Sequence, residues 1–444
     1  MAAPILTRAQ TLAFALPGGP LGAIALPPLV FLPNYFNATL GAPLAAVSAI
    51  FLLSRVSDII IDPLLGGAQD RTRAAMGPRK AWMLFGLIPL CALLWLVFIG
   101  WAPGASPALI GASVLAMYAA YSAVLIAHLG WAGELAPDYH GRTRMLGFVQ
   151  AASAAGTIIV LILPAIAGLA GLGEPAMRVH LMGWVLIAAL PLTILLAVKF
   201  VPEPRTARGE PIKLRAAFAA IAENRALRFL LGADFAVGVS QGVAGTLFVF
   251  FFQYKLGFTR EAELLVLIYF LAALIGIPLW MRVARGGAKH RTMALACLFA
   301  AIIAATLPIL PPNLFWLAAI GIFLAGLPNG AHILLLRAMM VDVVDEDEVK
   351  TGARHAGLFF GLLLTTSKAG AALGPLTLAV LAFYGFDGKL GAGNAPAAMT
   401  ALTFLFIAPQ VLLYLFAAWI MRAYPLDEAR QRALRAQLDL RAAP

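Results

Sequence analysis

Apolar runs, each long enough to cross a bilayer, recur along this chain and constrain it more than any other feature. Cut at charge clusters and at Pro, Gly and Asn turns, they fall at about 11–33, 40–66, 81–101, 107–132, 145–172, 179–200, 227–254, 263–283, 292–310, 314–340, 356–384 and 399–422. A helix crossing the hydrocarbon needs about 20 such residues, so twelve transmembrane helices are expected. The 444 residues are 62% apolar and only 12% charged, with a mean hydropathy of +0.90. Soluble domains carry about a quarter charged residues, so this chain lacks the side chains to cover a water-facing surface. The 41 Gly and 29 Pro would break soluble helices but are tolerated within a bilayer.

Several function classes drop out. A small anchored enzyme with one or two spans does not use so many crossings. Cys91 and Cys297 lie in separate apolar runs with no C-x-x-C or Cys/His neighbourhood, so neither a disulfide framework nor a zinc site is expected. The net charge of +11 forms no continuous stripe, which argues against nucleic acid. It reads instead as topology. The even-numbered connections carry most of the Lys and Arg, while the odd-numbered ones hold only Arg178, Lys255, Arg260 and Lys389. The positive-inside rule then places both termini in the cytoplasm of a multi-pass inner or plasma membrane protein. The first run is too long for a signal-peptide core and is expected to stay as a helix.

The longest polar stretch, 201–224, separates two halves of six spans. The expected organisation is an N-terminal six-helix bundle (1–200), a cytoplasmic central loop (201–224), a C-terminal six-helix bundle (225–424) and a cytoplasmic tail (425–444). GELAPDYHGRTRMLG after span 4 and VDVVDEDEVKTGARHAG after span 10 echo one another: acids at the end of a span, a basic cluster, then the small-residue start of the next. This all-α, six-plus-six pattern resembles the major facilitator fold, in which two bundles rock about a midplane site.

Ionisable groups inside spans are expensive unless they face a cavity or a partner. On span 2, in LLSRVSDIIIDPLLGGAQDRTR, Arg55, Asp58 and Asp62 are spaced i, i+3, i+7 and share one helical face. Two carboxylates a turn apart can bind a cation through oxygen or share a proton; a static Arg–Asp pair locking helices is the alternative. The next stretch, GGAQDRTRAAMGPRK, resembles the loop between the second and third spans of major facilitators. It offers Asp70, Arg71 and Arg79 for reversible charge pairs that hold one end shut, with a solvated topological loop as the alternative.

Taken with WAGELAPDYHGRTR and VDVVDEDEVKTGARHAGLFFGLLLTTSKAG, these motifs resemble the glycoside-pentoside-hexuronide cation symporters, in order and over nearly the whole chain. The resemblance implies that Asp58 and Asp62 bind the coupling ion, a proton or sodium. It also implies that Lys368, alone in span 11, links the two bundles near the substrate, and that Trp131 stacks on a ligand face. Ile61 and Val124 replace two oxygen ligands of that family, which favours protons. Its sugar-binding acids and arginine would align near Gly22, Ala127 and Val149, so a melibiose-like sugar site is not expected.

Further candidates are weaker. His128 lies one turn before Trp131 and either titrates or packs. Asp234 and Gln241 share a face of span 7 and suit cavity lining, and Asn329 flanks a Pro328–Asn329–Gly330 break that either opens backbone groups to a ligand or provides a kink. Glu134, Arg142, Asp342 and Arg354, from the two echoing stretches, are expected to join Arg55, Asp70, Arg71 and Arg79 in gating. The DEDE run at Asp345 to Glu348 suits a cytoplasmic cap better than a metal site.

The expected function is cation-coupled symport of a sugar, glycoside or related small organic solute, by a monomer working in a lipid bilayer without a bound cofactor. A lysophospholipid or another amphipathic anion is the alternative substrate. An intramembrane prenyltransferase-like enzyme with two Asp-rich sites is the remote rival, although no second Asp-x-x-x-Asp pattern appears on another span.

Overall fold

Hydrocarbon offers a polypeptide no water to bond to, so each apolar run must satisfy its N–H and C=O groups internally, as an α-helix does. The computed structural model describes residues 7–135, 139–171, 175–203, 223–285, 288–351 and 356–442. It contains twelve helices long and apolar enough to span a bilayer: α1 (Arg8–Val30), α2 (Leu44–Gln69), α3 (Pro78–Gly100), α4 (Pro107–Ala132), α5 (Phe148–Gly168), α6 (Ala176–Phe200), α7 (Arg225–Lys255), α8 (Ala262–Ala284), α9 (Lys289–Ile309), α10 (Phe315–Lys350), α11 (Phe359–Phe383) and α12 (Pro396–Arg422). A thirteenth, polar helix follows, α13 (Glu428–Ala442). The expected all-helical, twelve-span class is observed.

Prolines act differently in α1 and α10. Span α1 is built from short helical pieces, Arg8–Ala15, Gly18–Ile24 and Pro27–Val30, divided at its prolines. The expected break at Pro328–Asn329–Gly330 is absent: one helix runs from Phe315 to Thr351, carrying the DEDE run in its last turns. Its glycines serve close approach instead. The space a Cβ would take at Gly326 and Gly330 is filled by the backbone carbonyls of Tyr269 and Ala273 on α8.

The chain forms two compact units. Unit 1 comprises Met1–Gly209, Thr259–Leu264 and Leu378–Ala395; unit 2 comprises Glu210–Phe258, Leu265–Thr377 and Pro396–Pro444. Two short segments from the second half of the chain thus fold with unit 1, which a cut at 201–224 does not anticipate. They are held by specific bonds. Arg178 Nη1 lies 2.7 Å from Glu263 Oε2 and donates to Thr259 O at 3.0 Å, while Gly388 N donates to Asn37 Oδ1 at 2.8 Å.

Both units repeat one chain turn and one helix seam. After α1, a π-turn at Tyr35–Thr39 leads to Leu40 and Gly41 (φ 77°), and Leu40 O accepts from Gly104 N at 2.8 Å. At the end of α7, the π-turn Phe251–Lys255 leads to Leu256 and Gly257 (φ 83°), and Leu256 O accepts from Asn313 N at 2.8 Å. The positive φ suits glycine, and FNATLG and FQYKLG carry the repeat in sequence. In unit 1, α1 meets α5 through Gly18, Gly19 and Gly156; in unit 2, α7 meets α11 through Gly238, where a Cβ would come within 2.8 Å of Ser367 O. Small residues let helix backbones touch where lipid supplies no hydrophobic drive.

Candidate functional site

In unit 1, regular helical geometry aligns Arg55, Asp58 and Asp62 on α2, as their spacing predicts. Arg55 Nη1 stands 3.8 Å from Asp58 Oδ2, and its guanidinium lies 4.9 Å from the Tyr118 ring centroid on α4. Tyr121, one turn further along α4, feels the charges of Arg55, Asp58 and Asp62 and donates its hydroxyl to Leu21 O at 3.0 Å. The α2 face is therefore closed by two phenols. Neither was singled out by the sequence reading, although the Tyr118–Tyr121 spacing was the available signal.

The chemistry of this cluster is that of oxygen: two carboxylates and two phenols beside one guanidinium. Among the described residues, no three His, Cys, Asp or Glu side chains group closely enough for a multidentate metal. Val124 on α4 is fully buried and packs towards Gly86 of α3. The donor set suits a proton or a weakly held monovalent cation better than a caged ion.

One end of the cluster is pinned by polar bonds. Gln69 Nε2 donates to Ala123 O at 2.8 Å, and Arg79 Nη1 donates to Gln69 Oε1 at 3.2 Å. Glu203 accepts from the backbone N–H of Arg79 at 2.8 Å and of Lys80 at 2.9 Å, capping the start of α3 across 124 positions of sequence. A carboxylate at a helix N-terminus satisfies orphan donors and faces the positive end of the dipole. Arg71 is exposed. The side chains of Asp70, Glu134 and Arg142, and the whole of Arg354, lie outside the described residues, as does most of the central loop.

Trp131 is buried rather than open to a cavity, and of the two readings of His128 packing is the one observed. Trp131 is 0% exposed: its N–H donates to Pro202 O at 3.1 Å, Phe14 meets it edge-on, and Lys80 Nζ sits 5.5 Å from its ring centroid. His128 stacks on Phe14, and its Nε2 lies 2.8 Å from Phe14 O. The ring faces offered to a ligand are occupied by packing. Gly22 and Ala127, at two of the positions of family sugar-binding groups, are likewise filled: Ser153 lies where a Gly22 side chain would go, and Ala127 is fully buried.

In unit 2 the structure joins two of the sequence candidates. Gln241 Nε2 on α7 donates to Asn329 Oδ1 on α10 at 2.7 Å. Asp234, two turns earlier on α7 and 5% exposed, lies 2.6 Å from the Thr366 hydroxyl of α11. Lys368 is exposed, partway along α11. Asp342 pairs with Lys289 at 2.7 Å and accepts from Gln431 of α13, neither of which was foreseen. Tyr424, just beyond α12, has its hydroxyl pushed up by burial and by the charges of Asp342 and Glu346. The DEDE run behaves as a helix end: Asp345 and Glu346 are buried, and Glu346 pairs with Lys350 at 3.1 Å.

Comparisons with known proteins agree with this architecture. The chain is 24% identical to the putative glycoside/cation symporter YagG of Escherichia coli, over 98% of this chain and 95% of that protein. It is 29% identical to the human sodium-dependent lysophosphatidylcholine symporter 1, over 42% of this chain and 34% of that protein. The crystal structure of the nucleoside transporter NupG superposes with a TM-score of 0.70 at 15% identity, covering 94% of this chain and all of that one, which fixes the fold. The model of the family described as MFS/sugar transport protein matches residues 13–428. With twelve spans, two units and that match, the chain belongs to the MFS/sugar transport protein family of symporters, and it is a multi-pass membrane transporter rather than an enzyme.

Proposed function

We propose that the protein takes up a sugar, glycoside or related small organic solute by symport with a cation, alternating access between its two units, with both termini in the cytoplasm. The observation that carries this reading is the α2 cluster, in which Arg55 pairs with Asp58 and lies over the Tyr118 ring while the charges of Arg55, Asp58 and Asp62 reach Tyr121. Asp58 and Asp62 hold the coupling ion, and the apolar residues Ile61 and Val124 favour a proton over sodium. Lys368, Gln241 and Asn329 serve the substrate, and Arg55 with the charged helix ends serves gating. The test is Asp62→Asn: gradient-driven accumulation is lost while substrate exchange persists, because exchange needs no net release of the cation. Full accumulation by that variant rejects the assignment.

A second substrate class, a lysophospholipid or another amphipathic anion, is favoured by the packed state of Gly22 and Ala127, which leaves no acids for sugar hydroxyls there. Thermal stabilisation of the purified protein across sugars, organic anions and lysolipids separates the two. Stabilisation by lysolipids alone selects the second class.

A further inference from the structure

A buried carboxyl group in unit 2 has a setting that differs in kind from the α2 cluster. Asp234 lies nine residues into the span α7. It is 5% exposed and forms no ion pair among the described residues. Its hydrogen-bond partner from a neighbouring helix is neutral, the Thr366 hydroxyl of α11 at 2.6 Å. A buried carboxylate stays charged when two or three N–H donors or a close cation hold it. One hydroxyl does not meet that need, and Arg337, whose charge also acts on the carboxyl, is itself exposed.

The surroundings of Thr366 point the same way. Its Oγ1 also lies 3.1 Å from Leu362 O and 3.0 Å from Leu363 O, so three oxygens surround a hydroxyl that owns one hydrogen. A carbonyl has no hydrogen to give. All the contacts are used only when the carboxyl brings a proton of its own: Asp234 O–H donates to Thr366 Oγ1, and Thr366 O–H donates back to its own helix. When that proton leaves to water, rotation of the Thr366 hydroxyl hydrogen towards Asp234 provides a charge-assisted bond for the carboxylate. One rotor thus accommodates both states.

The groups packed around α7 decide what can bind. From α10, the charge of Arg337 acts on Asp234. From α12, Tyr414 interacts with Ser240, a turn and a half further along α7. On α11, Lys368 follows Thr366 by two residues and so points to another side of that helix. A guanidinium charge acting on a carboxyl with one hydroxyl ligand repels a metal cation but tolerates a proton. We propose that Asp234, with Thr366, is a proton-binding site of unit 2, separate from the cation site on α2. It does not depend on the α2 assignment.

The test is infrared pH-difference spectroscopy on the full-length protein in lipid nanodiscs. A carbonyl stretch of a protonated carboxylic acid is expected at neutral pH, absent in Asp234→Asn and retained in Asp62→Asn. Thr366→Val keeps shape but removes the partner, so it shifts that band to higher frequency; it also serves if Asp234→Asn does not fold. In proteoliposomes, Asp234→Asn flattens the pH dependence of substrate exchange. A spectrum with no band sensitive to either Asp234→Asn or Thr366→Val overturns the proposal, whatever Asp62→Asn does to accumulation.

Discussion

Arg178 and Glu263, 85 positions apart in sequence, form a 2.7 Å ion pair whose side chains are 4% and 7% exposed, inside unit 1. Removing one partner of such a pair leaves the other charge buried, a loss of about 3–5 kcal/mol. Arg178→Ala should therefore lower the unfolding temperature of the detergent-solubilised protein well below that of Arg55→Ala, whose pair spans 3.8 Å and is partly exposed. The double variant Arg178→Ala, Glu263→Ala should lose less than the sum of the singles. Additive losses would show that the two residues act apart.

Tyr121→Phe tests whether the phenols belong to the ion site. The ring and its packing are kept, and the one hydrogen bond to Leu21 O is worth only about 1 kcal/mol, so folding should survive. The concentration of coupling cation giving half-maximal uptake should rise about threefold to tenfold, the equivalent of one lost oxygen contact. An unchanged cation dependence would confine the site to α2.

Lys368 carries a charge in an otherwise apolar span, a position that is costly unless it serves a cavity or a partner. Lys368→Ala should impair transport, and Lys368→Arg should rescue poorly because a planar fork differs from a compact ammonium. Loss of binding confined to anionic substrates assigns it to the substrate, whereas altered cation dependence with a neutral sugar assigns it to coupling. Wild-type transport by the alanine variant removes it from the mechanism.

The proposed orientation rests on the Lys and Arg bias of the connections. A single cysteine placed at Ala207 on a background lacking Cys91 and Cys297 should react with a membrane-impermeant maleimide only from the cytoplasmic side. Labelling in intact cells would reverse the orientation.

The spans were legible because hydrocarbon thickness imposes a length on sequence, and Arg55, Asp58 and Asp62 were legible because one helix sets their spacing. Contacts between helices were not. Gln241 meets Asn329 across 88 positions, and Glu203 caps α3 across 124. Their only local sign was a polar residue in an unexpected place. Nothing in the sequence separates Tyr118 and Tyr121 from ordinary membrane aromatics; the placement of Arg55 over the Tyr118 ring does. Trp131 misled for the opposite reason: the resemblance matched its type and position, whereas Phe14 and Lys80 decide whether its faces are open. Pro328 did not break its helix, which runs on to Thr351.

The glycine seams between α1 and α5 and between α7 and α11 bring backbone against backbone, so the rigidity of each unit rests on the absence of side chains. The proposed chemistry of transport rests on side chains at other positions. Mechanical integrity and selectivity thus occupy separate sets of residues. A scaffold of this kind can acquire a new cargo by exchanging a few polar groups without loosening its frame, whereas a single methyl group at Gly156 or Gly238 would force helices apart and cost the protein its fold before its substrate.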